Sequence, residues 1–154
     1  MYNYLKQYAS LHMHSTHSDG VYSPKELVEI GKKEGYKALS LTDHDTITGN
    51  AEVMEECKKA GLDAIFGIEF STESVDFGRG FHITAFHFDP EYPQMKEYLR
   101  QCSLTMTEKT RIIFERGKEH GLLPKSFAWE DVVKDHEGVS WLCNDHVFKT
   151  MKNM

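Results

Sequence analysis

The spacing of apolar and polar positions changes along the chain, and each change marks an element. Ala9 to His14 reads as a short strand that ends in a polar turn from Ser15 to Gly20. Ser23-Pro24-Lys25-Glu26 opens a helix with three signals together: serine at the N-cap, proline at the first helical position, and a glutamate three residues on that closes a capping box. That helix is expected to end at Gly35. Lys37 to Thr42 (KALSLT) is a strand, the turn DHDTITG follows, and a helix runs from about Asn50 to a terminating glycine, Gly61. Asp63 to Phe70 (DAIFGIEF) is the next strand. After a glycine-containing turn, Phe81 to Phe88 (FHITAFHF) supplies a further one. Met95, Tyr98, Leu99, Cys102, Met106, Ile113 and Gly117 then recur at spacings of three, four or seven, which predicts one long amphipathic helix ending near Gly121. Trp129 to Asp135 and His146 to Lys152 read as two shorter helices.

Strand, helix, strand, helix, strand at this spacing predicts right-handed βαβ units and a parallel sheet, an α/β fold. No repeat, low-complexity run or linker divides the chain, so residues 1–154 are expected to form a single domain. At 154 residues, 40% hydrophobic and 27% charged, the chain can bury a core without disulfides or a structural metal, and fibrous or wholly disordered classes are excluded. Any metal site is then read as chemistry. A formal charge of −6, from 24 acidic against 18 basic residues, argues against a footprint for duplex nucleic acid or an anionic membrane. Three cysteines, Cys57, Cys102 and Cys143, form no CxxC pair, and no basic start precedes an apolar stretch; the expected compartment is the reducing cytoplasm. No run approaches the roughly 18 to 20 apolar residues that cross a bilayer.

Nine histidines stand out, and six of them fall within the first 90 residues: His12, His14, His17, His44, His82 and His87. His12 and His14 lie two apart on a strand, so both side chains leave one face and can reach a single cation. Alone, that pair describes two histidines of a half-exposed strand equally well. They are not alone. The run continues His12-Met13-His14-Ser15-Thr16-His17-Ser18-Asp19-Gly20, the second strand ends in Thr42-Asp43-His44-Asp45, the third in Gly67-Ile68-Glu69, and the fourth carries His82. Repeated His, Asp and Glu at one rim of a parallel sheet suit a ligand site rather than packing, because unpaired buried carboxylates are costly.

These residues, HxHSxxSDG, TDHDT, GIEFS and the following FHI, resemble in order the PHP (polymerase and histidinol phosphatase) superfamily, and within it the stand-alone phosphoesterases acting on small nucleotides. The likeness runs from about Leu11 to Phe88, and more loosely to His146. It implies up to three divalent metals, Zn, Mn or Fe, and a water activated by them: His12, His14 and Glu69 around one, Asp19 and His44 at a second, and a bridging Glu69 with His82 and His146 at a third. Asp19, His44 and Glu69 are the implied catalytic residues. His146 sits in CNDH, where the family more often has a basic residue and a proline before the histidine. Ser15, Thr42 and Asp45 are expected to orient ligand imidazoles, with turn-capping hydrogen bonds as the alternative. His17 and His87 lie near the rim but off the pattern, His120 and His136 are expected at the surface, Arg79 in a solvated turn, and the cysteines in the core. No residue is singled out for binding substrate.

The resemblance implies the N-terminal part of a distorted (β/α)7 barrel, with core motifs over residues 9–90 and a helical insertion over about 91–140. A closed parallel barrel needs on the order of 200 residues or more, and the family's later Asp and His ligands are not found before Met154. The expectation is a fragment of a longer product, or a homo-oligomer that shares strands, because an open half-barrel exposes an unpaired edge. The implied activity is hydrolysis of a phosphate ester of a small molecule, nucleotide or oligonucleotide end. Two alternatives stand beside it: an incomplete or non-catalytic metal-binding module, and an amidohydrolase-like enzyme, which shares the HxH pair but accounts less well for Asp19 and TDHD.

Overall fold

Helix α1 (Pro24–Glu34) forms where its start signals stand. Ser23, extended at φ −65° and ψ 159°, accepts the Glu26 N–H on its hydroxyl, while the Glu26 carboxylate accepts the Ser23 N–H at 2.8 Å. Gly35 closes the helix in the left-handed region at φ 85°, which glycine adopts without a Cβ penalty. The computed structural model describes residues 9–154 apart from positions 75 and 77. Through Tyr92 they form one compact unit and from Pro93 a second.

In the first unit, β1 (Ala9–Ser10), β2 (Ala38–Leu39) and β3 (Asp63–Ala64) pair in parallel in that order, with Ala9 opposite Ala38 and Ala38 opposite Asp63. The crossovers are α1 and α2 (Asn50–Ala60), and Val28, Leu39, Leu41, Val53 and Cys57 form the core beneath them. Gly31 allows this packing: a Cβ there would stand 2.8 Å from Leu39 Cδ1.

The regular ladders are shorter than the sequence predicts. Strands expected over Ala9–His14 and Lys37–Thr42 keep two paired residues each, so His12 and His14 stand in the loop beyond β1. The reason is a contact between the two segments: the Met13 N–H donates to Thr42 Oγ1 at 3.2 Å, and a side chain takes the place a strand carbonyl would fill.

The expected Asp63–Phe70 strand divides into β3 and β4 (Gly67–Ser74), and the expected further parallel strand is β5 (Arg79–Phe86), antiparallel to β4 from Gly67↔Phe86 to Ser74↔Arg79. Only residues 75–78 connect them, and a parallel crossover needs about a dozen residues or more, so the hairpin is the connection that fits. Asn50, buried at the start of α2, anchors β4 by bonding both the N–H and the carbonyl of Gly67.

The second unit holds α3 (Pro93–Glu119), α4 (Trp129–Asp135) and α5 (Asn144–Asn153) around Phe114, Phe127, Val132, Leu142 and Val147. All three helices lie where the apolar spacing places them, α5 beginning two residues earlier than expected. Among the described residues, no helix is long and apolar enough to cross a membrane.

Leu39→Ala, which empties a fully buried position under α1, is expected to cost about 3 kcal/mol in denaturant unfolding, against about 1 kcal/mol for Ser23→Ala. The Glu26 carboxyl is held below its usual 4.5, first by the backbone bond at Ser23 and then by the Ser23 hydroxyl. Its contribution is therefore full above that value and fades as pH falls through the lower folded one. The stability gap between wild type and Glu26→Gln is expected to close in acid, as read from melts at stepped pH.

Candidate metal centre

The centre is built on Glu69, the third residue of β4. In the antiparallel register Glu69 faces Thr84 and Ser71 faces His82, so Glu69 and His82 share one face of the hairpin. A single parallel bridge between His44 and Glu69 brings the loop after β2 to the same place. The loop after β1 supplies the rest.

Four imidazoles surround the Glu69 carboxylate, which is almost fully buried. Its Oε2 lies 2.9 Å from His12 Nε2, 2.9 Å from His14 Nε2 and 3.6 Å from His44 Nδ1, and its Oε1 lies 3.5 Å from His82 Nδ1. Asp19 closes the other side, with Oδ1 3.1 Å from His14 Nδ1 and Oδ2 3.7 Å from His44 Nε2. The rings follow one another around the carboxylate, with centroids 5.1 Å apart for His12 and His14, then 4.6 Å for His14 and His44 and 4.6 Å for His44 and His82.

Three overlapping groups have ligand atoms all within 4.8 Å of one another: His12, His14 and Glu69; His14, Asp19 and His44; His44, Glu69 and His82. These residues fit divalent cations. The His12 and His14 Nε2 atoms stand 3.0 Å apart and point at one carboxylate oxygen, and the buried His14 Nδ1 makes no hydrogen bond despite the nearby Asp19. Imidazole nitrogens and carboxylate oxygens in this mixture are the donor set of Zn, Mn and Fe.

The electrostatics favour ligation. Burial pushes the His44 pKa down, and the neighbouring His14 and His82 add to this against the attraction of Asp19 and Glu69, a direction that favours the neutral, ligating ring. For Glu69, burial acts upward, but the hydrogen bond from His12 and the charges of His44, His12 and His14 outweigh it and hold the carboxyl below the usual range. The side chains of His12 and His82 are 55% and 56% exposed, so the cluster is open to solvent on that side.

The supporting residues tie the loops to one another and to β4. Thr42 Oγ1 accepts from the Met13 N–H and donates to the Met13 carbonyl, which pins the residue between the two ligand histidines. Ser15 bonds Asp43 through both its N–H, at 2.6 Å, and its hydroxyl, at 2.7 Å. Asp45 takes φ 50°, donates its N–H to the Glu69 carbonyl and accepts the Ser71 N–H on Oδ1, so that its carboxylate ties the loop to β4. Asp43, fully buried, is the residue that sequence reasoning passed over. Its partners lie 25 and 28 positions away, and no local pattern announces them.

The remaining histidines are placed as follows. His146 lies in the second unit, fully buried, where Nδ1 accepts the Cys143 N–H at 3.0 Å and the ring packs against His136 and Trp141. In the group with Glu69 and His82 the third donor is His44. His136 is half-buried on His146 rather than free at the surface, while His120 is exposed. His17 Nδ1 lies 2.8 Å from Thr48 Oγ1, and the His87 N–H donates to the Phe66 carbonyl. Arg79, three positions before His82 on β5, belongs to the opposite face of the hairpin.

The PHP domain family model matches residues 10–143. The chain is 38% identical over 127 residues to a 5'-3' exoribonuclease of Haemophilus influenzae, covering 82% of this chain and 45% of that protein. It is 32% identical over 102 residues to a 3',5'-nucleoside bisphosphate phosphatase of Chromobacterium violaceum, covering 66% of this chain and 35% of that protein. A crystal structure from Bifidobacterium adolescentis, assigned as a metal-dependent phosphoesterase, superposes with a TM-score of 0.77 at 26% identity over 96% of this chain and 50% of its own. The chain therefore spans half or less of the length of these relatives, and its α/β fold is that of a partial PHP barrel. By this match across most of its length, the chain belongs to the PHP domain family.

Proposed function

We propose that this chain carries the metal-holding part of a phosphoesterase that hydrolyses a phosphate ester of a small molecule, a nucleotide or an oligonucleotide end. The observation that carries this reading is the convergence of four imidazoles and two carboxylates into three overlapping donor groups around Glu69. Similarity to a 5'-3' exoribonuclease and to a nucleoside bisphosphate phosphatase supports it, since both names denote cleavage of phosphate esters of nucleotides.

The residues divide the work. His12, His14 and Glu69 would hold one divalent cation, Asp19 and His44 with His14 a second, and Glu69 with His82 and His44 a third; a part for His146 at that third position rests on the family resemblance. Zn, Mn or Fe suit the donors. Metals so bound supply Lewis-acid charge to a phosphate and lower the pKa of bound water. Glu69, kept ionised, is the shared anion that lets several cations stand close together. His44, whose pKa burial lowers, is favoured in the form that offers a lone pair. The exposed edges of His12 and His82 leave the approach that a phosphate would use. With a net charge of −6 over the chain, attraction of an anionic substrate has to come from this centre rather than from the surface at large.

Wild-type protein stripped of metal and titrated with Mn²⁺ or Zn²⁺ is expected to gain about 2.7 kcal/mol of stability at a hundred times the dissociation constant, reversed by EDTA. Unchanged melting across the titration would refute the metal reading. Glu69→Gln is expected to weaken binding by at least about 100-fold, since it removes an anion shared by two donor groups. Release of phosphate or nucleoside monophosphate from a nucleoside 3',5'-bisphosphate or a short 5'-phosphorylated oligonucleotide, lost on chelation, tests the chemistry. Metal uptake with no turnover of either would instead identify a non-catalytic metal-binding module.

A further inference from the structure

We propose that Asp43 is a positioning residue: its carboxylate bolts down the turn that delivers Asp19, and so sets the metal affinity of the His14–Asp19–His44 group while the His12–His14–Glu69 group is held by other bonds. This rests on the metal-centre reading above.

Asp43 is completely buried, and a buried carboxylate is costly unless its lone pairs are filled. Among the described residues the donors come from one turn. Oδ1 accepts the Ser15 N–H at 2.6 Å and the Ser18 hydroxyl at 2.6 Å, and Oδ2 accepts the Ser15 hydroxyl at 2.7 Å, short bonds of the charge-assisted kind. Among the described residues no lysine or arginine pairs with it. The Ser18 hydroxyl stands 2.6 Å from Asp43 but 3.3 Å from Asp19 Oδ1, so its one proton goes to Asp43.

The turn is already wound on itself. The Ser18 and Gly20 N–H groups donate to the Ser15 carbonyl, the His17 N–H to the Ser15 hydroxyl, and a Cβ at Gly20 would meet the His14 carbonyl oxygen at 2.1 Å. Such a turn moves as one body, and Asp43 fixes that body to the segment bearing His44. The carbonyl of Asp43 also accepts the Glu69 N–H at 3.2 Å, so one residue joins three ligand-bearing segments. Among the described residues its carboxylate, however, bonds the Asp19 turn alone. Met13, between His12 and His14, is held instead by Thr42, and Glu69 by its strand pairing.

The test is titration of the 154-residue chain with Mn²⁺ alone, by calorimetry and by electron paramagnetic resonance of the free ion. The chains compared are wild type, Asp43→Ala, Asp43→Asn, Ser18→Ala and, as reference, Asp19→Ala, with hydrogen exchange of the Ser15–Gly20 amides alongside. Asp43→Ala is expected to weaken one class of site by about 10- to 100-fold, the same class that Asp19→Ala removes, to leave the other class intact, and to speed exchange across the turn. Asp43→Asn is expected to fall between, because its Oδ1 still accepts from the Ser15 N–H and the Ser18 hydroxyl. Ser18→Ala, which removes one of the three hydrogen bonds to the Asp43 carboxylate and leaves the apolar core alone, is expected to show a smaller loss in the same class. Asp43 and Ser18 variants that titrate like wild type while Asp19→Ala does not would overturn the positioning role and leave the metal centre standing. A wild type that takes up no Mn²⁺ would overturn both.

Discussion

A carboxylate taken out of water must be compensated where it lies, and the first unit is organised around that requirement at Glu69. Four imidazoles from three separate stretches of chain stand within 3.6 Å of its oxygens. Such a cluster exists only if the ends of β1, β2 and β4 and the face of β5 all arrive at one point. The short parallel sheet and its two crossover helices bring the first two there, and the hairpin delivers Glu69 together with His82. Metal coordination is then the use to which this convergence lends itself, since the imidazoles that surround the carboxylate can hold cations together with it.

The polar loops that build the rim have their own cost, because backbone N–H and C=O groups leave the parallel ladder after only two paired residues in β1 and in β2. Side chains repair the loss. Thr42 substitutes for a strand partner at Met13, Asp43 gathers the Ser15–Ser18 turn, Asp45 holds Ser71, and Asn50 binds both polar groups of Gly67. These residues are buried and polar at once, which is sustainable only because each finds a partner. The loop after β2 is therefore less a connection than a second framework, and it explains why so much of TDHDT is polar although so little of it faces solvent.

Much of this was legible in the residues. The helices were, because capping serines, terminating glycines and the three-and-four spacing act within a few positions of the elements they define, as Ser23, Gly35 and Gly61 show. Six of the seven expected ligands, His12, His14, Asp19, His44, Glu69 and His82, come together in the structure. The hairpin was missed because alternating apolar residues look alike in parallel and antiparallel strands, and only the short connection from Ser74 to Arg79 decides between them. His146 was carried by a looser stretch of resemblance, and its ring caps and packs α5 within the second unit.

What the sequence by itself determined is the set of local preferences and the inventory of donors: where helices start and stop, and which stretches bear histidine beside aspartate or glutamate. Those follow from interactions spanning a few residues. The length of the strands, the shared use of His14 and His44 between donor groups, and the part of Asp43 were decided by tertiary structure. Each depends on atoms brought within 3.6 Å across separations of 25 residues or more, and such distances are set by the packing of α1 and α2 on the sheet rather than by any neighbour in the chain.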